Sequence, residues 1–182
     1  PGFIVDKKDD VLGIILTHAH EDHIGAIAHI WPKIKCNIYA TPFTCVLVRE
    51  KFKEKKIDIS THLKVVELNG FLELKPFKIE FVTLTHSILE PNGLKINTPA
   101  GTILHTGDWK CDPSPLIGNK IDEDKLKKIG DDGVLAMICD STNVFSMGRA
   151  GSEMDVRKNM INVIQRLKKR IIVTSFASNV AR

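Results

Sequence analysis

Three histidines and an aspartate fall within the seven residues Thr17-His18-Ala19-His20-Glu21-Asp22-His23. A chain that carries them so close together must fold to point several imidazoles into one small space. The preceding run Val11-Leu12-Gly13-Ile14-Ile15-Leu16 predicts a short buried strand, and the residues from His23 to Trp31 predict a helix that stops at Pro32. The cluster then stands where a strand hands over to a helix, at the carboxyl edge of a sheet, where open α/β sheets hold their ligands. Imidazole nitrogen and carboxylate oxygen are the donors of a first-row divalent ion such as Zn²⁺, at about 2.0–2.2 Å. His18 and His20 are two apart on extended backbone, where side chains alternate, so a bend after Thr17 is needed to bring both onto one ion. Asp22 and His23 open the helix and face a neighbouring position, which predicts two metal ions rather than one.

This His-x-His-x-Asp-His pattern after a buried strand resembles the signature of the metallo-β-lactamase superfamily. The resemblance implies an α/β (α+β) fold, the αββα sandwich, with a binuclear metal site at one edge of two facing sheets. It also implies a later His and a later bridging Asp. His86 closes the apolar run 79–85 and Asp108 closes the run 101–107, both in the setting the likeness requires. On this basis His18, His20 and His86 hold the first metal, Asp22 and His23 the second, and Asp108 bridges them.

Further segments resemble the ribonuclease J family of the β-CASP group. They are Thr85-His86-Ser87-Ile88-Leu89-Glu90-Pro91-Asn92-Gly93, the stretch from Thr98 to Lys110 containing His105-Thr106-Gly107-Asp108-Trp109-Lys110, Cys139-Asp140-Ser141-Thr142-Asn143, and the tail from Thr174 to Arg182. Leu89 departs from the pattern, which usually has Pro there, and leaves the ligands untouched. The resemblance gives Asp140, after a strand over 134–139, the task of supporting a general-acid His, so that Asp22, Asp108 and Asp140 are the carboxylates with catalytic roles. Taken alone, Asp-Ser-Thr-Asn is also ordinary turn composition. The general-acid His, the last ligand of the second metal and the pocket for an RNA 5′ phosphate are expected beyond Arg182, and an early acidic strand before Pro1, as in a fragment of a longer protein.

The implied activity is metal-dependent hydrolysis of RNA phosphodiesters, by 5′-to-3′ exonuclease and endonuclease action in RNA processing and decay. RNA is the expected partner, with no membrane, and the full-length protein is expected to be a homo-oligomer. Two divalent ions, most suitably Zn²⁺ with Mn²⁺ as an alternative, would leave about one net positive charge after Asp22, Asp108 and a hydroxide, enough to draw an anionic phosphodiester. The fragment alone is expected to be inactive. A hydrolase of small thioesters or lactones would share the ligand set but lack the Asp140 segment and the helix that opens a second domain. A partial metal scaffold without activity is the other alternative.

Strand and helix alternate along the chain. A strand over 37–40 and a helix over 42–55, with Thr41 as N-cap and Pro42 as first helical residue, precede a run of antiparallel strands over 64–104, broken at Asn69-Gly70, Pro76, Asn92-Gly93 and Ala100-Gly101. Ser152-Glu153-Met154-Asp155 has the form of a capping box, and Val156, Met160, Val163, Ile164 and Leu167 recur at helical spacing, predicting a helix through Arg170 and a buried strand over 171–174. A partial metallo-β-lactamase domain is therefore expected over 1–150 and the beginning of a β-CASP domain over 151–182.

A hydrophobic content of 43% and a charged content of 26% fit a folded globular chain, and no apolar run approaches the roughly 18 residues of a membrane span. The net charge of +4 has the sign suited to nucleic acid. Its densest basic run, Arg49, Lys51, Lys53, Lys55 and Lys56, reads better as a solvated helix end that complements the helix dipole than as an RNA contact. Cys36, Cys45, Cys111 and Cys139 have no Cys-x-x-Cys spacing, which predicts buried free thiols in a reducing, cytoplasmic setting.

Overall fold

Parallel strands need crossover connections, and the first part of the chain supplies them. A computed structural model describes residues 1–179. After a short helix α1 (Gly2–Asp6), strands β1 (Ile14–Ile15), β2 (Ile38–Ala40) and β3 (Leu63–Val65) pair in that order as a parallel sheet. Helices α2 (Glu21–Ile24) and α3 (Ile27–Ile34) cross over from β1 to β2, and α4 (Pro42–Glu54) from β2 to β3. Their apolar faces pack on the sheet through Ile24, Ile27, Trp31, Val48 and Phe52. Burial of Phe52, which has no exposed surface, contributes about 1.5–3 kcal/mol.

The second sheet is a meander of β4 (Phe71–Leu74), β5 (Phe77–Thr83), β6 (Asn92–Thr98) and β7 (Gly101–His105), closed by β8 (Ala136–Ile138) parallel to β7. Helix α5 (Glu123–Asp131) makes the parallel crossover. Side chains of β5 alternate between two cores, as strand geometry dictates. Phe77, Ile79 and Phe81 meet Ile15 and Tyr39 of the first sheet, whereas Val82 and the adjoining Leu84 meet Ile129 and Leu126 of α5. The layers thus run helix, sheet, sheet, helix, the expected αββα sandwich.

This topology positions one edge. Strands β5 and β7 both run antiparallel to β6 and so parallel to each other, and β8 follows β7, so the loops leaving all three open on the same side. Strand β1 is held to that edge by Asn92, whose backbone N–H and side-chain amide donate to the Thr17 carbonyl at 3.1 and 3.3 Å.

Several local expectations are corrected. The strand expected over 11–16 is reduced to Ile14–Ile15 and is only half-buried. Helix formation over 23–31 is broken into α2 and α3, with Pro32 inside α3. The helix survives Pro32 because Trp31 and Ile34 are buried and Trp31 Nε1 donates to the Cys36 carbonyl at 2.7 Å. Leu63–Val65 joins the parallel sheet, so the antiparallel run begins only at Phe71. Asn92-Gly93 lies within β6 rather than ending a strand, since Gly93 lets Leu84 and the His105 carbonyl approach closely. Of the cysteines only Cys45 is buried; Cys111 and Cys139 are exposed, Cys139 beside an open edge strand.

The capping box forms as expected, with Ser152 accepting from the Asp155 N–H and Asp155 from the Ser152 N–H. It starts α6 (Glu153–Arg166), which ends short of Arg170, and residues 171–174 form no strand. None of the residues of α6 is buried. With its apolar side largely exposed, little packing from the described residues sustains the last turn, and the following segment has no neighbouring strand among them to pair with. Val180, Ala181 and Arg182 of the family-like tail lie outside the described residues.

Candidate metal centre

The bend required after Thr17 is present. His20 has extended backbone and precedes α2, which turns Asp22 and His23 back toward His18. The loop after β5 brings His86 in from the second sheet, and its Nε2 lies 3.0 Å from His20 Nδ1. The loop after β7 brings Asp108, whose Oδ2 lies 3.3 Å from His23 Nε2, 3.7 Å from His86 Nε2 and 3.9 Å from His18 Nε2. Two donor groups result, His18 with His20, His86 and Asp108, and Asp22 with His23 and Asp108. Within each, the nitrogen and oxygen atoms lie within 4.8 Å of one another.

Electrostatics favour uncharged imidazoles here. Burial, reinforced by His23, His86 and His20, lowers the His18 pKa to about 3. Burial also lowers His20, against the opposing pull of Asp22, and lowers His86 together with the neighbouring His20, against the pull of Asp108 and Asp140. His18 Nδ1 is 3.1 Å from the Thr17 hydroxyl, while Nε2, fully buried, has no hydrogen-bond partner among the described residues. An orphaned lone pair in such a place is costly, and a cation inside the ring of donors would satisfy it. The donor set is that of a divalent-metal site.

Gly107 makes the Asp108 turn possible. Its φ of +57° suits glycine, and a Cβ there would lie 2.9 Å from the Asn92 carbonyl and 3.2 Å from Thr17 Cβ. Asp140 follows β8 on the same edge. Its carboxylate accepts from the Thr142 hydroxyl and N–H at 2.6 and 2.9 Å, and these bonds, with a further one from the Trp109 N–H, hold its pKa below the usual carboxylate value. It is close enough to His86 for each to influence the other's charge.

The beta-lactamase superfamily domain matches residues 2–171. The chain belongs to the beta-lactamase superfamily. It is 38% identical to ribonuclease J of Sinorhizobium meliloti, over 99% of this chain and 32% of that protein. Ribonuclease J of Corynebacterium glutamicum is 41% identical, over 100% of this chain and 25% of its own length. The chain thus spans about a quarter to a third of these curated relatives. A solved structure of a protein of unknown function from Enterococcus faecalis V583 shares the fold, with a TM-score of 0.58 at 15% identity, over 84% of this chain and 38% of that one.

Within this superfamily member, further residues shape the site without announcing themselves in the sequence. A pocket of about 550 Å³ opens beside His20 and Asp22, walled by Phe43 and Leu47 of α4, Ile88 and Phe176. Lys51, expected as part of a solvated helix end, instead pairs with Glu21 at 2.6 Å. The N-terminus of α4 is capped from a distance: Thr41 stands at the N-cap but its hydroxyl turns to Thr44, and the Phe43 N–H donates to the Glu90 carboxylate at 2.8 Å. His105, unassigned from sequence, accepts the Gly107 N–H at 2.9 Å. Each of these contacts joins residues through backbone geometry that residue type alone does not encode.

Proposed function

We propose that this chain is the metal-holding part of a metal-dependent hydrolase of the ribonuclease J type, which cleaves RNA phosphodiester bonds from the 5′ end and internally. The observation that carries the reading is the position of Asp108 Oδ2, shared between two donor groups that come from three separate loops. The relatives named ribonuclease J, at 38% and 41% identity, support RNA as the substrate.

His18, His20 and His86 would hold one divalent ion and Asp22 with His23 a second, with Asp108 between them. Bound there, the ions would lower the pKa of a water toward 7 and polarise a phosphate oxygen. The chain's own contribution is preorganisation. Buried neutral imidazoles keep their lone pairs available without first losing a proton, and Gly107 and Thr17 fix the loops that present them. Asp140, which accepts two hydrogen bonds from Thr142, would orient a general-acid histidine. Zn²⁺ suits imidazole and carboxylate donors best, and Mn²⁺ is accepted by the same set.

A second unit is proposed to begin near residue 151. Its support is α6, on which Val156, Met160, Ile161 and Val163 are exposed. The free cysteines, two of them exposed, favour a reducing, cytoplasmic setting. No described helix is long and apolar enough to cross a membrane.

The test is turnover of 5′-monophosphorylated RNA by the full-length protein and its Asp108→Ala variant. Loss of more than about a hundredfold is expected, since removing even an outer partner of a metal ligand costs 10- to 100-fold. Equal turnover would overturn the reading.

A further inference from the structure

Thr85 immediately precedes His86, yet its hydroxyl bonds to the segment after Asp108 rather than to the donor cluster. It is 4% exposed. Its hydroxyl donates to the Lys110 carbonyl and accepts the Asp112 N–H at 3.2 Å, while its own carbonyl accepts the Lys110 N–H at 2.9 Å. Three hydrogen bonds therefore join the residue before His86 to the segment just after Asp108. Both loops leave the second sheet, and β6 separates the strands that carry them. His86 Nε2 and Asp108 Oδ2 themselves lie 3.7 Å apart.

We propose that Thr85 is a positioning residue whose hydroxyl sets the separation of His86 from Asp108. The inference rests on the proposed metal reading and goes beyond it by assigning the geometry of the centre to a residue that offers no donor to it. A hydroxyl is required because it must donate and accept at once, to a carbonyl on one side and an N–H on the other. Valine would keep the shape but take this partner from the Lys110 carbonyl and leave the Asp112 N–H buried without it, so the Asp108 loop would move to satisfy them. Serine would keep both bonds.

The experiment compares the full chain with Thr85→Val and Thr85→Ser, using Co²⁺ as the probe. Its visible absorption reports coordination geometry, and competition against a chelator gives affinity. Thr85→Val should bind Co²⁺ about 10- to 100-fold more weakly with an altered spectrum, while Thr85→Ser keeps both near the wild-type values. Circular dichroism and thermal unfolding identify the temperature at which each variant is folded. Should Thr85→Val not fold, Thr85→Ala takes its place with the same expectation. An unchanged spectrum and affinity in either folded hydroxyl-free variant overturns the proposal, as does equal loss in Thr85→Ser. If the wild-type chain itself takes up no ion, the metal reading fails and this inference fails with it, an outcome distinct from equal binding by wild type and variant.

Discussion

Asp108 Oδ2 lies 3.3 Å from His23 Nε2, although the two residues come from loops on different sheets of the sandwich. Because the same oxygen faces His86 and His18, the two donor groups can be separated by mutation. His23→Ala should remove the second ion and leave the first, giving about one ion per chain after refilling, while Asp108→Ala weakens both. Elemental analysis of the dialysed proteins checks this, and a full complement of metal in Asp108→Ala would contradict the shared role.

Protonation of His18 has a defined direction. Its pKa is lowered from 6.5 to about 3 by burial and then by His23, His86 and His20. Below pH 6.5 the unfolded chain takes up a proton that the folded, metal-free protein refuses, so this contribution to stability is complete above that pH and drains away toward pH 3. The melting temperature of the metal-free protein should fall through that window. An NMR titration in which the His18 ring protonates with an ordinary midpoint of about 6.5 would refute the burial argument.

Gly107→Ala should lower stability by about 1–3 kcal/mol, because alanine pays for a left-handed backbone and its Cβ meets the Asn92 carbonyl. For a chain of this size each kcal/mol shifts the midpoint by about 2–4 °C. A thermal melt superimposable on the wild type would show that the turn relaxes freely.

Asp112 is buried and fastens α6 to the loop after Asp108. Its carboxylate accepts the Glu153 and Ser114 N–H groups, each at 2.8 Å, and pairs with Lys110 Nζ at 3.0 Å. Burial alone would raise its pKa, but these partners hold it below the usual carboxylate value. Asp112→Ala should cost about 2–3 kcal/mol and speed amide exchange along α6, since no residue of that helix is buried and its first turn is tied to this loop through Asp112 and through the Leu116 N–H, which donates to the Glu153 carboxylate at 3.0 Å. Unchanged protection of α6 in hydrogen exchange would mean that the anchor lies elsewhere.

Much of the site was legible because its residues sit where strands end. An apolar run followed by His18, by His86 or by Asp108 marks a strand stop, and the carboxyl edge of a sheet gathers such stops. The capping box at Ser152 was equally readable, since both of its bonds span three residues. The helix expected through Arg170 and the strand over 171–174 failed for the opposite reason. Their formation depends on a covering layer, and local propensity does not supply one.

Residue type and spacing by themselves determined the cluster of His18, His20, Asp22 and His23 after a strand and the alternation of strand and helix, because these follow from short-range periodicity, whereas the parts given to His86 and Asp108 and the αββα sandwich came from the likeness to a known family. Tertiary structure alone decided that Leu63–Val65 completes the parallel sheet, that Asn92 ties Thr17 to the second sheet, that Glu90 caps α4 and that Thr85 bonds to the segment after Asp108. The first is a backbone ladder, and each of the others joins a side chain to a distant backbone group. Their partners are chosen by the packing of whole layers, so the identity of one residue gives no hint of the other.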